Sequence, residues 1–490
     1  MEIKVLNIGE YSQNGNTLAM LVFEGDNISA NLDENTSKLI TLLKENKEFT
    51  GRYKQVETIK IIVDDKIKNI ILLGLGKKEE LNNEKLRTVS GMTIKHSKKL
   101  KTQKLDLLMP NLEYNIEKYY SAITEGLVLG EYKFDKYKSD KKEESIEDVS
   151  LITHENIEFV QNGLKEGYIL GNSTKLARSL VDEPANFMYP EILAKEAEKI
   201  GKEHGFEVEV FDEDKIKELG MEAFLEVAKG SKHAPKFIVM RYFGDKENEK
   251  DIFGLVGKGL TYDSGGYSIK PTSSMLDMKT DMAGAAAVIG AMCAVAENKL
   301  NINVVAVVAA CENMISDKSY KPGDIINSMG GKTIEILNTD AEGRLTLVDA
   351  VHYIIEKENA TKIIDIATLT GAALVALGTV STAVLSNNDD FYSGLEDASK
   401  ITGEKVWRLP IFDEYKQELK GTLGDLKNTG GRYAGTITAG LFIGEFVQNK
   451  PWIHMDIAGT ATSTKDEGYL TKGATGVGVR TLYYMAKNMK

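Results

Sequence analysis

Asn338-Thr339-Asp340-Ala341-Glu342-Gly343-Arg344-Leu345 sets two carboxylates and a guanidinium between apolar runs. Residues 333–337 before it read as a short strand. Leu345, Leu347, Val348, Val351 and Ile354 or Ile355 after it recur at helical spacing. In an extended segment alternate side chains share a side, so Asp340, Glu342 and Arg344 are expected to project together. A solvated strand-to-helix turn with a local ion pair would account for one such loop. This loop has company.

Outward from the octet, a strand-then-helix rhythm fills the later two thirds of the chain. Strands are expected at 207–210, 237–242, 252–256, 303–309, 362–367 and 452–456. Several are apolar without alternation, as in strands covered on both faces. The fold class that follows is α/β, with a doubly wound, mostly parallel sheet, and ligands in such sheets gather beyond the carboxyl ends of the strands. Ahead of this region, 155–180 reads as a long helix that Pro184 stops, and Pro190 opens a further helix over 191–204.

The first third is expected to be a second α/β domain, with strands at 18–23, 59–63 and 69–73 and a helix within 79–104 carrying Leu81, Leu86, Val89 and Met92. Gly74-Leu75-Gly76 lacks the third glycine and the acidic partner of a dinucleotide cradle and reads as a tight turn. The charge-dense run 138–148 reads as a solvated loop. The expected division is a first domain over 1–155, a linking helix over 156–180 and a larger domain over 181–490.

The chain's 490 residues exceed one ordinary core, and 42% hydrophobic with 27% charged residues is the balance of a folded soluble protein. A formal net charge of -12 argues against nucleic acid or an anionic membrane as the main partner. Cys293 and Cys311, the only cysteines, sit among apolar residues, so buried free thiols in a reducing compartment are expected. Met1-Glu2-Ile3-Lys4-Val5 begins no secretory signal, and no apolar run approaches the length of a bilayer span. A cytoplasmic location follows as the expectation.

Read at the strand ends, the charged residues converge. Lys258 and Asp263-Ser264-Gly265-Gly266 follow the strand 252–256, with Lys270, Met278-Lys279 and Asp281 beyond. Asp340, Glu342 and Arg344 follow another strand, and Thr368-Leu369-Thr370-Gly371 a third. Four carboxylates in one crevice repel and are driven toward protonation unless cations compensate. Lysines and Arg344 can do part of this, giving a buried salt-bridge network as one reading. Divalent metal does it better. No histidine lies in 258–281 or 338–345, so a metal site there rests on carboxylates, which suits Mg²⁺, Mn²⁺ or Zn²⁺ and is enough for two ions sharing bridging oxygens.

These residues resemble the leucyl aminopeptidase family of cytosolic di-metal peptidases. The octet 338–345 matches that family's signature at every position, as does the spacing of Val256-Gly257-Lys258-Gly259 through Asp263-Ser264-Gly265-Gly266 to Ser268-Ile269-Lys270-Pro271. Met278-Lys279-Thr280-Asp281-Met282, Trp407-Arg408-Leu409-Pro410, His454-Met455-Asp456-Ile457-Ala458-Gly459-Thr460 and Gly473-Ala474-Thr475-Gly476 are similar to its other blocks. The resemblance is dense over about 180–482 and sparse before it, apart from Gly130-Glu131-Tyr132-Lys133-Phe134-Asp135.

The resemblance implies a macrodomain-like first domain and a catalytic second one. It implies one metal held by Asp263, Asp340 and Glu342, and another held by Lys258, Asp263, Asp281 and Glu342. Zn²⁺ or Mn²⁺, with Mg²⁺ as a further option, would activate water against a peptide carbonyl. Lys258 would ligate as the neutral amine, Lys270 would stabilise the oxyanion, and Arg344 would hold a bicarbonate ion that relays the proton. The free α-amine of a peptide substrate would bind a metal and the Leu369 carbonyl. Met278, Thr368 and Gly371 would line an apolar side-chain pocket that accepts leucine with modest discrimination by size. The implied assembly is a homohexamer. Asp182-Glu183 and Gly440 depart from the family pattern without touching an implied ligand.

Two other readings compete. A di-metal phosphoesterase predicts a glycine-rich phosphate cradle beside the carboxylates, for which Asp263-Ser264-Gly265-Gly266 is the one candidate. A nucleotide- or DNA-binding protein could use the first third, but the acidic charge and the lack of a basic stripe with aromatics oppose DNA.

Overall fold

A computed structural model of the chain describes residues 1–11, 16–26, 32–63, 65–140 and 146–489, so 141–145 of the expected loop 138–148 lie outside the described residues. The chain divides into two compact units. One comprises 1–172 with 464–472, the other 173–463 with 473–490. The helix Ile157–Asp182 runs through the point of division.

The first unit is built on six strands: β1 (Glu2–Asn7), β2 (Thr17–Phe23), β3 (Val56–Val63), β4 (Lys66–Gly76), β5 (Lys104–Leu108) and β6 (Asp148–Thr153). Their order is β1-β6-β5-β2-β4-β3, parallel except for β3. The period of two decides the packing. Ala19, Leu21 and Phe23 of β2, with Ile71, Leu73 and Leu75 of β4, join a core that includes Leu86 and Val89 from the helix Asn83–Lys99. Leu18, Met20 and Val22, with Ile70 and Leu72, join a second core with Ile40 from the helix Glu34–Glu45. Gly74 is a close-packing residue, because a Cβ there would collide with the Arg52 carbonyl oxygen. Thr464–Lys472 is held in this unit by Lys54–Glu467 and Lys95–Asp466 ion pairs and by Arg87 over the Tyr469 ring.

The second unit carries β7 (Glu207–Phe211), β8 (Lys236–Phe243), β9 (Ile252–Asp263), β10 (Asn303–Asn313), β11 (Ile325–Ile326), β12 (Ile334–Glu335), β13 (Lys362–Ala367), β14 (Thr382–Ser386), β15 (Val406–Arg408), β16 (Leu426–Lys427) and β17 (Trp452–Asp456). The main sheet runs β15-β14-β17-β13-β9-β10-β8-β7. Its middle, β17-β13-β9-β10, is parallel, and antiparallel pairs β14–β17 and β10–β8 flank it. In a small sheet β11-β12-β16, the first two strands lie just ahead of the octet in sequence and β16 well after it.

Four sequence expectations need correction. Gly74-Leu75-Gly76 is the end of β4 and not a tight turn. β9 and β10 run past Val256 and Ala309 to Asp263 and Asn313, so Lys258 and Asp263 are strand residues and not loop residues. The octet is not extended: Glu342 has helical φ -77° and ψ -35°, and the helix Gly343–Glu356 starts beside it. Finally, Met278–Glu297 is long and apolar enough to cross a bilayer by length and composition, contrary to the expectation that no run is. Every residue from Ala283 to Ala296 is buried in the unit, which marks the segment as a core helix.

Candidate metal centre

The site forms where three neighbouring parallel strands end at different heights. β13 stops at Ala367, and β9 continues upward beside it, so Lys258 stands level with the end of β13. Lys258 Nζ donates to the Thr368 carbonyl at 3.1 Å. The register of β9 against β10 slips by one residue after Cys311, pairing Glu312 with Tyr262 and Asn313 with Asp263. That slip matters because Lys258 and Asp263 are five positions apart, an odd number, and an unbroken strand would turn them to opposite faces.

Two carboxylate clusters result, each centred on an ammonium. Lys258 Nζ lies 2.8 Å from Asp281 Oδ2 and 3.0 Å from Glu342 Oε1. Lys270 Nζ lies 2.8 Å from Asp263 Oδ2 and 2.5 Å from Asp340 Oδ1. Ligand atoms of Asp263, Asp340 and Glu342 fall within 4.8 Å of one another. Asp281 sits at the entrance of the helix Ala283–Glu297, where the helix dipole favours an anion, and its Oδ1 accepts from Thr368 Oγ1 at 2.7 Å.

The electrostatics express crowding. Burial, reinforced by Glu342 and Asp281, pushes the Asp263 pKa up to about 8. Burial, with Glu342, pushes Asp281 up to about 6 despite Lys258. Asp340 is raised by burial and by Glu342. Burial would raise Glu342 too, but Lys258 and Lys270 hold it below the usual range. Burial pulls both ammonium groups down, and the carboxylates more than reverse this, so both stay charged. The cluster therefore demands positive charge. Glu342 Oε2 is buried without a hydrogen-bond partner, which is an open ligand position on a group already placed among three other carboxylates. By donor set, burial and this orphaned oxygen the residues fit divalent cations.

The remaining expected residues fall around these clusters. Arg344 is buried on the first turn of its helix, donates from Nη1 to the Asn428 carbonyl at 2.8 Å and leaves Nε without a partner. Burial lowers its pKa to about 10, against the pull of Glu342 and Asp456. Leu369 and half-buried Thr368 belong to the turn after β13, and Gly371 begins the helix Gly371–Leu377. Met278 is half-buried on the 3-10 turn Met278–Thr280. Met278 and Gly371 bring no charge to the site. Buried His454 pairs with Asp365, at 2.5 Å, which Trp452 Nε1 also contacts.

Sequence reasoning missed the residues that hold the loops in place. Thr339 Oγ1 donates to the Gly265 carbonyl at 2.7 Å and accepts from Ser268 N at 2.8 Å. Asn428 accepts from Leu337 N and donates to the Asn338 carbonyl. Asp456 accepts from the backbone N–H and the hydroxyl of Thr370 and from Leu369 N, which fixes the turn 368–371. Thr339 lies in the octet and Asp456 in the block 454–460, yet nothing in either motif marks them as anchors of a loop, and Asn428 lies in no motif at all.

The chain is similar to known proteins over most of its length. Residues 175–483 match the model of the cytosol aminopeptidase family's catalytic domain, and 19–141 match that of its N-terminal domain. Probable cytosol aminopeptidases of Clostridium perfringens and Clostridium tetani are 56% and 52% identical to the chain, each covering 93% of it and 93% and 95% of themselves. The solved structure of the bottromycin maturation enzyme BotP in complex with Mn superposes with a TM-score of 0.86 at 29% identity, covering 96% of this chain and 99% of that one.

Proposed function

Because the chain belongs to the cytosol aminopeptidase family, we propose that it is a metal-dependent aminopeptidase that releases leucine and other apolar residues from the free amino terminus of peptides. The observation that carries this reading is the pair of buried carboxylate clusters, each needing a cation and together offering ligands for two.

Asp263, Asp340 and Glu342 would hold one ion, and Lys258, Asp263, Asp281 and Glu342 the other. An amine among carboxylates favours Zn²⁺ or Mn²⁺ over Mg²⁺, and the manganese complex of BotP supports that choice. When bound, such a pair supplies Lewis-acid polarisation of a carbonyl and an acidified water. The chain's own residues do the rest. Lys258 must shed its proton to ligate, a reversal that neighbouring divalent charge and its complete burial both favour. Lys270, the less buried of the two lysines, turns from Asp263 and Asp340 toward the substrate and stabilises the developing oxyanion. Arg344 cannot act as a base, since a guanidinium keeps its proton. Its unpartnered Nε suits an anion, and bicarbonate held there would relay the proton.

The Leu369 carbonyl would receive the substrate's α-amine, on a turn that Asp456 holds rigid. Met278, Thr368 and Gly371 would line the pocket for the first side chain. Assembly as a homohexamer in the cytoplasm belongs to the same proposal. The second unit leaves Leu276, Val375, Leu423 and Tyr433 more than four-fifths exposed, apolar area that assembly would cover. The expected mass by light scattering is six times 54.1 kDa.

Hydrolysis of leucine p-nitroanilide by the purified chain tests the activity, before and after chelation and with Mn²⁺ or Zn²⁺ restored. The expected result is metal-restored cleavage of the free-amine substrate and none of its acetylated counterpart. Folded protein inactive under every metal would overturn the proposal and direct attention to phosphoesters.

A further inference from the structure

We infer that Asn313 is a positioning residue for the metal centre, orienting the Asp263 carboxylate and clamping it to the loop that carries Asp340. The inference rests on the metal-dependent reading above.

Asn313 is the last residue of β10 and is fully buried. The register slip that brings Asp263 round to the site also places Asn313 opposite it. Its Nδ2 donates to Asp263 Oδ1 at 2.8 Å and to the Thr339 carbonyl at 3.0 Å, using both amide hydrogens on two acceptors. Those acceptors fix which end of the amide is nitrogen. Its own backbone carbonyl receives Ser264 N at 3.0 Å and Ser264 Oγ at 2.8 Å, so the strand end is tied to the residue after Asp263 as well.

The consequence for Asp263 is geometric. Oδ1 takes the hydrogen bonds from Asn313 and from Gly265 N at 2.8 Å, which fixes the plane of the carboxylate. Oδ2 is thereby turned toward Lys270 and the other carboxylates. The bond to Thr339 acts on the second loop, because Thr339 directly precedes Asp340, and Tyr320 Oη braces the same carbonyl at 2.9 Å. One neutral amide thus sets the relative position of ligands from two separate strand ends without adding charge to a crowded site. Partners of this kind commonly govern metal affinity by about 10- to 100-fold.

Manganese titration of the metal-stripped, full-length protein tests this, with free Mn²⁺ read by electron paramagnetic resonance. The parent is compared with Asn313→Leu, nearly isosteric, and Asn313→Ala. The expected result is that both variants keep the parent's circular dichroism without metal, while the Kd for Mn²⁺ rises about 10- to 100-fold. At saturating Mn²⁺, kcat falls and KM for leucine p-nitroanilide changes little. Parental affinity in both variants would overturn the assignment, and so would failure of both to fold, which would make Asn313 a folding residue. A parent that binds no Mn²⁺ would instead remove the metal-dependent reading and the assignment with it.

Discussion

Lys258 and Lys270 each stand between two carboxylates, yet their surroundings separate their roles. Lys258 is enclosed on all sides, touching Asp281, Glu342 and the Thr368 carbonyl. Lys270 reaches in from a less buried position. A group that acts only on charge developing in the reaction should affect kcat alone. Lys270→Ala is therefore expected to lower kcat about 10²- to 10³-fold with KM nearly unchanged, as for removal of an oxyanion donor. An equal loss spread into KM would show that Lys270 binds substrate instead. Away from the centre, Asp349 is buried, accepting from Phe224 N at 2.9 Å and Met329 N at 2.8 Å. Burial pushes its pKa up to about 7 although these N–H groups pull the other way. The folded state then binds the proton more tightly than the unfolded state, so this group's stabilisation is full below the ordinary carboxylate pKa and is lost as pH rises toward 7. Asp349→Asn cannot accept from both N–H groups, and a loss of about 1–3 kcal/mol is expected at about pH 5. That deficit should shrink by about pH 8 in urea unfolding, above the folded-state pKa. A constant difference across this range would mean that Asp349 does not titrate there.

At the scale of elements, β9 shows what was readable in advance and what was not. The apolar run 252–256 announces a strand, and the types and spacing of Lys258, Asp263, Asp281, Asp340 and Glu342 announce a shared crevice. The continuation of β9 to Asp263 was hidden, because Gly257, Gly259 and polar residues interrupt the hydrophobic pattern while the strand is covered on both sides. The one-residue register slip was hidden for a different reason: it exists only in the pairing with β10, which no local pattern encodes. An extended octet would make its carboxylates neighbours on one side. They converge instead through a turn closed by Asn338 Oδ1 on Asp340 N, followed by the first turn of a helix. Asn313 is inconspicuous in sequence, a single amide at the end of an apolar strand. The helix start also yields a prediction in which two effects oppose. Ala is the better helix former by about 1 kcal/mol. At Gly343, however, an added Cβ would fall 2.6 Å from Lys258 Nζ. Because Lys258 is enclosed, its tip can yield only by leaving Asp281 and Glu342, so Gly343→Ala is expected to lower the melting temperature despite its helix propensity and to lose most of its activity. Full activity would show that Lys258 has freedom the packing denies.

Across the whole molecule, chemistry and architecture are unevenly distributed. The first unit has a sheet with a core on each face and buries an Arg87–Glu125 ion pair, whereas the cluster of Asp263, Asp340 and Glu342 belongs to the second. That Thr464–Lys472 belongs with the first unit could not be read from sequence, since its ties include ion pairs to residues 371 and 413 positions earlier and a ring contact with Arg87. Metal binding should respect this division. An ion that binds only the folded site stabilises it by about 2.7 kcal/mol at a hundredfold excess over Kd. Its direct effect is to offset repulsion among carboxylates held on β9, the entrance of Ala283–Glu297 and the loop before Gly343–Glu356. Hydrogen exchange on the stripped chain should therefore slow in 258–268, 279–286 and 338–346 when Mn²⁺ is added, with β2 and β4 unchanged. Lys258→Met, which keeps the bulk but removes the amine, should weaken that protection. Equal protection of both units would contradict the confinement of binding to the second. Protection absent from 258–268 would place the metal away from Asp263, and the two-cluster geometry would then be an ion-pair network that works without divalent cations.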